Sequence, residues 1–352
     1  MTGPAVPVDM PEDVPEEAWQ DADLPWLLFR LAGRVPDDGL AIMRTCVADG
    51  EDEEAVDMLA AVLTTGRLPL TADEADVARA VLTECELDPA LADQAPPLDR
   101  LPDPPYRFEA PPDGDPDAEL VDAAVTAAEP VGGLGGLWRV QRSSARATVG
   151  VWLAEADPSA DVVELIAEMQ QALAEAGEIP PRLEVFAEGA ELTPYHQAAL
   201  AEATLVWTPP DMAEPQLARV FDGADPQTGP FFAPDHPRIA EGAERDRLLA
   251  YLRGTGLLLA SMGYLQDILD PGDDAGVVPI GFRCDGEWIW TDAVTYYLDR
   301  HGIAPDPQLR AHVLAAGEPP VGLSRVAAHR AMEILTAPDP DEEEGGGPWQ
   351  AA

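Results

Sequence analysis

The stretch ATVGVWLAEADPSADVVELIAEMQQALAEAGEIPPRLEVFAEG, residues 147–189, changes its hydrophobic period twice. Apolar residues dominate 147–155 and 182–189, a pattern that is typical of buried strands. Between them lies an apolar stripe with helical spacing, which ends at Gly177. The residues of this stripe are Val162, Leu165, Ile166, Met169 and Leu173. The stretch therefore predicts a strand, a helix and a second strand.

A short helix opened by Thr193-Pro194 and a third apolar run, ATLVW (203–207), follow. Strands that alternate with helices predict a small, mostly parallel sheet that is covered by helices and joined by right-handed crossovers. We therefore expect a mixed, multi-domain α/β protein. It would combine an N-terminal helical bundle, this sheet and a C-terminal helical unit with a β-hairpin.

Composition shifts divide the rest of the chain into segments. Residues 22–94 carry helical stripes and a capping box at Thr71 and Glu74, which predicts a bundle of four or five helices. In the Pro-rich linker, Tyr106 and Phe108 could attach the chain to a domain surface. The predicted segments are a disordered acidic leader (1–21), the helical bundle (22–94), the Pro-rich linker (95–117), the α/β domain (118–210), a Pro/Gly-rich connection (211–237), a helical and β-hairpin domain (238–337) and a disordered acidic tail (338–352).

Several local signals organise the last domain. Residues 238–269 carry a helical pattern, although Gly254 and Gly256 could interrupt it. Asp285-Gly286 between apolar runs predicts a two-residue hairpin. Thr291 and Asp306-Pro307 are expected to begin helices.

The charge of the chain is extreme. Aspartate and glutamate number 66 against 21 basic residues, all of them arginine, for a formal net charge of -45. Such a surface repels nucleic acid and anionic membranes and attracts a basic protein. The alternative is that the charge only keeps the protein soluble.

Three features of the sequence bear on the cellular compartment of the protein. The three cysteines, Cys46, Cys85 and Cys284, lack metal spacing and are typical of a reducing compartment. The N-terminus lacks the apolar core of a signal peptide. The apolar run GTGLLLASMGYL (254–265) is too short to span a bilayer. We therefore expect a cytoplasmic protein without a membrane partner.

The glycine- and arginine-rich stretch GGLGGLWRVQRSSAR (132–146) resembles a phosphate-binding loop only superficially. A dinucleotide loop follows a strand and opens a helix, whereas these glycines follow a predicted helix and precede a predicted strand. Arg139 and Arg142 would lie on opposite faces of that strand. We therefore expect a turn followed by a hairpin strand, and no cofactor.

Catalytic signals are weak. The histidines, His196, His236, His301, His312 and His329, show no metal-ligand spacing, and surface or capping roles are the simpler interpretation. No GxSxG motif occurs, although triads assemble in space rather than in sequence. If the 137–210 sheet held a ligand, the carboxyl ends of its strands would offer Glu155, Asp157, Glu188 and Thr208.

The hairpin EWIWT (287–291) contains the richest aromatic cluster. Trp288 and Trp290 share one strand face, and Tyr296 and Tyr297 follow on the next helix. These residues form either a buried core or a partner-binding site, since tryptophan, tyrosine and arginine dominate interface hot spots. In the second case, Arg283 and Glu287, predicted on the opposite face to the tryptophans, would join the site.

The segment GFRCDGEWIWTDAVTYYLDRHGIAPDPQLRAHV (281–313) resembles the terminal unit of uncharacterised actinobacterial proteins of the polymorphic-toxin immunity type. The resemblance implies a partner-binding role. Together with the charge, it favours a non-enzymatic inhibitor that captures a basic partner, such as a toxin domain that acts on nucleic acid. The alternatives are a structural or adaptor component of a larger assembly, and an enzyme or nucleotide-binding protein built on the 137–210 sheet.

Overall fold

The computed structural model describes residues 23–337, except 113–116, 211, 262, 271–275 and 321. The chain divides into two compact units, Met1–Pro210 and Asp211–Ala352. Both units mix helices and strands, which confirms the expected α/β class. The predicted leader (1–21) and tail (338–352) lie outside the described residues.

The first unit begins with a helical block. Its helices are α1 (Leu24–Arg30), α2 (Asp37–Ala48), α3 (Asp52–Leu63), α4 (Ala72–Glu84) and a 3-10 helix (Pro89–Gln94). The predicted bundle of four or five helices is thereby confirmed. At α4, Thr71 and Glu74 form the expected capping box, in which each side chain accepts a hydrogen bond from the other's backbone N–H.

The sheet of the first unit follows the helical block. Its strands are β1 (Arg107–Glu109), β2 (Leu134–Ser143), β3 (Thr148–Ala156), β4 (Leu183–Ala187) and β5 (Thr204–Trp207), and its helices are α5 (Ala118–Ala128), α6 (Val162–Ala176) and α7 (Pro194–Ala201). Strand β2 pairs with β3 along its whole length, while β1 and β5 pair with opposite ends of its other edge.

The prediction of a mostly parallel sheet is wrong. Only β3 and β4 pair in parallel, and every other pairing in this sheet is antiparallel. The cause is the short turn at Ser144–Ala147, where the Ser144 N–H donates to the Ala147 carbonyl at 2.9 Å. A tight turn forces β2 and β3 to run antiparallel, and β2 then separates β3 from β5.

The Pro-rich linker is attached to the first unit, as its aromatic residues suggested. The Tyr106 hydroxyl donates to the Gly33 carbonyl at 2.8 Å, and Phe108 is buried. Phe108 lies in β1, which pairs with β2 and extends the sheet.

The two faces of the sheet are covered by different helices. Leu183 and Val185 of β4 point into a core with α5 and α6. Glu184, the residue between them, points to the opposite face and contacts Arg44 of α2 and His196 of α7. The helical block and the sheet, which the sequence analysis treated as separate domains, therefore share one compact unit.

The second unit contains several short strands and four helices among its described residues. Its strands are β6 (Gln216–Leu217), β7 (Gly223–Asp225), β8 (Gly229–Phe231), β9 (Leu257–Leu259), β10 (Tyr264–Leu265), β11 (Val278–Pro279), β12 (Phe282–Cys284) and β13 (Trp288–Thr291), and its helices are α8 (Ala243–Gly254), α9 (Asp292–His301), α10 (Pro307–Ala316) and α11 (Arg325–Thr336). The main sheet has the order β6-β13-β12-β9, and β7-β8 and β10-β11 form two-stranded ribbons.

The structure refines three local expectations in this unit. The helical pattern over 238–269 is interrupted where Gly254 and Gly256 allowed it: α8 ends at Gly254, and strands β9 and β10 follow it. The β12–β13 hairpin is confirmed, but Gly286 and Glu287 form its turn, because the Asp285 N–H donates to the Trp288 carbonyl at 3.2 Å. Thr291 precedes α9 as expected, but its buried hydroxyl makes no capping hydrogen bond.

The close approach of Arg139 to Gly150 generates a stability prediction. Arg139 is buried in β2, its guanidinium lies 4.8 Å from the Trp152 ring, and a Cβ built at Gly150 would overlap it. We expect Gly150→Ala to destabilise the protein by about 1–3 kcal/mol, because the guanidinium must leave its buried position. Urea unfolding of the full chain, followed by circular dichroism, measures the change.

Gly132→Ala is the matched control for Gly150→Ala. A Cβ at Gly132 would meet nothing within 4 Å. The free energy of unfolding should therefore change by less than about 0.5 kcal/mol. Equal effects of the two substitutions would contradict the steric argument.

Candidate functional site

The aromatic hairpin is a core. Trp288, Trp290 and Tyr297 are 7%, 0% and 2% exposed. The two tryptophans pack against leucines of α8, α9 and α10. The cluster is therefore a buried core and not a partner-binding site. A partner cannot reach these three side chains, so their prediction as partner-binding residues is wrong.

The other predicted site residues also have structural partners. Arg283 lies directly across from Trp290, and cross-strand neighbours share a face, so its predicted position opposite the tryptophans is wrong. Its guanidinium donates to Asp292 Oδ1 at 2.7 Å and to two main-chain carbonyls at the end of α8. Tyr296 donates to Asp267 at 3.0 Å, and only the Glu287 side chain is largely exposed.

Histidine–aspartate pairs recur in the second unit. His312 Nε2 lies 2.7 Å from Asp285 Oδ2, which also accepts from the Tyr251 hydroxyl at 2.9 Å. An aspartate that orients an imidazole can support general-base catalysis. However, the other His312 nitrogen faces the Glu287 carboxylate at 3.6 Å, not a hydroxyl or thiol. This pair therefore ties the hairpin turn to α10 and α8.

Two further pairs have the same form. His301 Nε2 lies 2.5 Å from Asp267, and His236 Nδ1 lies 2.8 Å from Asp222. Burial acts to raise the pKa of both aspartates, but hydrogen bonds outweigh it and lower the pKa: from His301 above all at Asp267, and from the Ala233 N–H and then His236 at Asp222. The interpretation of His301 as a residue of the last helical turn is confirmed, with Asp267 as its partner.

The glycine-rich stretch is a turn, as predicted. Gly133 has a φ of 78°, and a Cβ there would overlap Ala160 of the loop after β3. The Gly133 carbonyl accepts from the Asp157 N–H at 2.8 Å, so the glycine turn is held against the loop that follows β3.

The two arginines after the turn lie on opposite faces, also as predicted. Arg139 lies over Trp152, whereas Arg142 donates to Asp37 and Tyr195. They do not form one anion pocket.

The carboxyl edge of the parallel strands brings two of the four predicted ligand-site residues together. Asp157 and Glu188 follow the paired ends of β3 and β4, and burial together with the Asp157 charge raises the pKa of Glu188. Glu155 is buried within β3, and Thr208 follows β5, on the far side of β2. Two neighbouring carboxylates would repel a phosphate, which disfavours nucleotide binding here.

A buried polar network joins the helical block to the sheet. Arg44 Nη2 and His196 Nε2 lie 2.6 Å and 3.2 Å from Glu184 Oε2. His196 Nδ1 lies 2.7 Å from Thr193 Oγ1, and Phe29 stacks on the imidazole at 4.0 Å. The surface interpretation of His196 is therefore wrong. Its spacing in sequence carried no sign of burial, because Arg44 is distant in the chain.

The charges of this network determine its protonation. Burial opposes ionisation of Glu184, but the Arg44 charge and the His196 hydrogen bond outweigh burial and lower the pKa of Glu184. Burial lowers the pKa of His196, and its interaction with Glu184 only partly offsets this. The network therefore holds an ionised Glu184 beside a neutral imidazole. Thr193, His196 and Glu184 are all less than 9% exposed, so the network has a structural role.

Two classes of site find no support in the described part of the chain. Over the described ranges, no group of three or more histidine, cysteine, aspartate and glutamate side chains could hold a metal ion. No helix within those same ranges is long and apolar enough to cross a membrane.

Sequence analysis missed an exposed apolar surface in the second unit. We call Leu257, Leu259, Tyr264, Leu265 and Val277 the apolar edge; each is between 37% and 62% exposed. Leu257 and Leu259 belong to β9, the outermost strand of the main sheet, and the Val277 N–H donates to the Leu265 carbonyl at 2.9 Å. The sequence contained one usable signal, an apolar run between glycines that is too short for a membrane.

The His196 environment generates a pH prediction. A depressed imidazole pKa means that the unfolded chain takes up a proton before the folded chain does, so the contribution of His196 to stability is present above pH 6.5 and is lost as the pH falls below it. In an NMR titration of the imidazole signals, the resonance that disappears in His196→Gln should titrate below pH 6.5. A midpoint at or above 6.5 for that resonance would contradict the neutral-imidazole assignment.

Comparison of the chain with protein-family models, with curated proteins and with solved structures gave no match.

Proposed function

We propose that this protein is a non-enzymatic, cytoplasmic protein-binding protein whose second unit captures a basic protein partner. The observation that carries the proposal is the apolar edge, an exposed cluster of large hydrophobic side chains on a chain with a net charge of -45. Exposed apolar clusters on otherwise polar surfaces mark sites where another protein binds.

Local charge supports a basic partner. No arginine occurs between Arg253 and Arg283, whereas Asp270 in this interval is exposed. An acidic surface accelerates association with a basic protein and suppresses binding of acidic ones. Apolar contact would then supply most of the affinity, since rim charges affect association rates more than stability.

The position of the edge supports an immunity-type inhibitor. Strand β9 pairs with β12, which lies within residues 281–313, the segment that resembles actinobacterial immunity-type proteins. The proposed partner is therefore a basic toxin domain that acts on nucleic acid. Cytoplasmic location is supported by Cys46, Cys85 and Cys284, which are all free thiols.

A pull-down from the native host at low and high salt tests the proposal. We expect a basic protein to be retained at low salt and to be retained less at high salt, because ions screen charges that lie more than about 8–10 Å apart at 0.1–0.15 M. Mass spectrometry identifies the retained protein, and titration with the purified protein measures its affinity. Retention that is equal at both salt concentrations would exclude the electrostatic part of the proposal.

Single substitutions identify the surface that the partner contacts. Leu257→Ser should weaken the measured affinity by about tenfold or more, because it removes apolar contact area. Ile42→Ser is the matched control, since Ile42 of α2 is 52% exposed and Leu257 is 51% exposed. Equal loss in both variants, or no loss in Leu257→Ser, would contradict the assignment of the apolar edge.

A further inference from the structure

We propose that the partner binds by strand addition: an extended segment rich in lysine or arginine pairs with the outer side of β9 and β10. This inference rests on the proposed function and specifies how its site would bind.

The two short strands form one edge. Leu257 and Leu259 pair with Arg283 and Phe282, and Tyr264 and Leu265 pair with Pro279 and Val278. Both strands therefore run antiparallel to the same continuous stretch, 278–284, with irregular pairing between them. Within the described residues, no strand pairs with the other side of β9 or β10.

The side chains of β9 are arranged as in a strand within a sheet. Leu258 packs inward near Cys284 and Ile289, whereas Leu257 and Leu259 alternate with it and are exposed. Proteins usually block exposed strand edges with lysine, proline or a covering segment. Here the edge strand itself is three consecutive leucines, which suits pairing with another chain.

Charge identifies the occupant. A second copy of this chain also carries a net charge of -45, and like charges across an interface cost several kcal/mol. The chain's own terminal segments, 1–22 and 338–352, contain acidic residues and prolines and no arginine. Proline cannot donate to a strand ladder. A basic extended segment of another protein meets neither obstacle.

The experiment uses the full chain and a synthetic probe, a peptide of about ten residues that alternates valine and lysine, long enough to span the edge. We expect saturable binding by fluorescence anisotropy. Hydrogen exchange followed by mass spectrometry should slow by about tenfold or more in the peptides that cover β9 and β10.

Two matched probes separate strand addition from simple charge attraction. The same peptide with N-methylated valines keeps its charge but loses backbone donors, and a valine–glutamate peptide keeps its strand propensity but reverses the charge. We expect both peptides to bind more weakly than the unmodified valine–lysine peptide. Equal binding of the N-methylated peptide, or slower exchange only outside β9 and β10, would overturn strand addition.

Variants of the protein complete the test. Leu257→Lys combined with Leu259→Lys should abolish probe binding, whereas Ile42→Lys should leave it unchanged. The alternative occupant is a second copy of this chain. In that case, hydrogen exchange at β9 and β10 would slow as the protein concentration rises in the absence of peptide, and sedimentation would show a dimer. That result would overturn the basic segment as the occupant.

The pull-down distinguishes the two proposals. A basic protein that is captured in a salt-dependent way, but leaves exchange at β9 and β10 unchanged, would refute strand addition while the proposed function stands. Failure to capture any basic protein would refute the proposed function itself.

Discussion

The first unit depends on the buried ion pair between Arg44 of α2 and Glu184 of β4. The pair connects the helical block to the sheet, and His196 and Thr193 extend it to α7. A buried charge is tolerated only when its partner is present, and removing one member of such a pair typically costs about 3–5 kcal/mol. The helices and the sheet are therefore parts of one folding unit although their sequences look like separate domains.

Other arginines also form ion pairs inside the fold, which contributes to the acidic character of the surface. Several arginines of the first unit form ion pairs within it: Arg30 and Arg34 both contact Glu74, and Arg142 contacts Asp37. Histidines are used similarly, since His236, His301 and His312 each contact an aspartate. Because much of the scarce positive charge is engaged in these contacts, the excess of carboxylates is left to face the solvent. This couples the internal ion pairs of the fold to an acidic surface.

The second unit combines a well-packed interior with an uncovered edge. Trp288 and Trp290 are buried between the hairpin and its helices. At one edge of the same sheet, β9 exposes Leu257 and Leu259. A strand edge that is already formed and held by packing loses less conformational entropy on binding an extended segment than a disordered one would, which is the property that strand addition needs.

Local sequence determined the features that depend on neighbours in the chain. The capping box at Thr71 and Glu74, the stripe of α6, the glycine turn before β2 and the β12–β13 hairpin all follow from spacing and residue type. The mixed α/β class follows from the same patterns, because hydrophobic period distinguishes helix from strand without reference to distant residues.

Tertiary structure decided strand partners, burial and exposure, because these depend on contacts between residues that are far apart in sequence. The mostly antiparallel pairing of the first sheet arose from the position of β2 between β3 and β5, which no local period encodes. Trp288, Trp290 and Tyr297, three of the four aromatic residues predicted as a binding site, are buried by elements that come before and after them. Leu257 and Leu259 of β9 are exposed because the described strands of the sheet end there. Sequence alone thus determined the elements and the charge, while long-range packing determined which apolar residues a partner can reach.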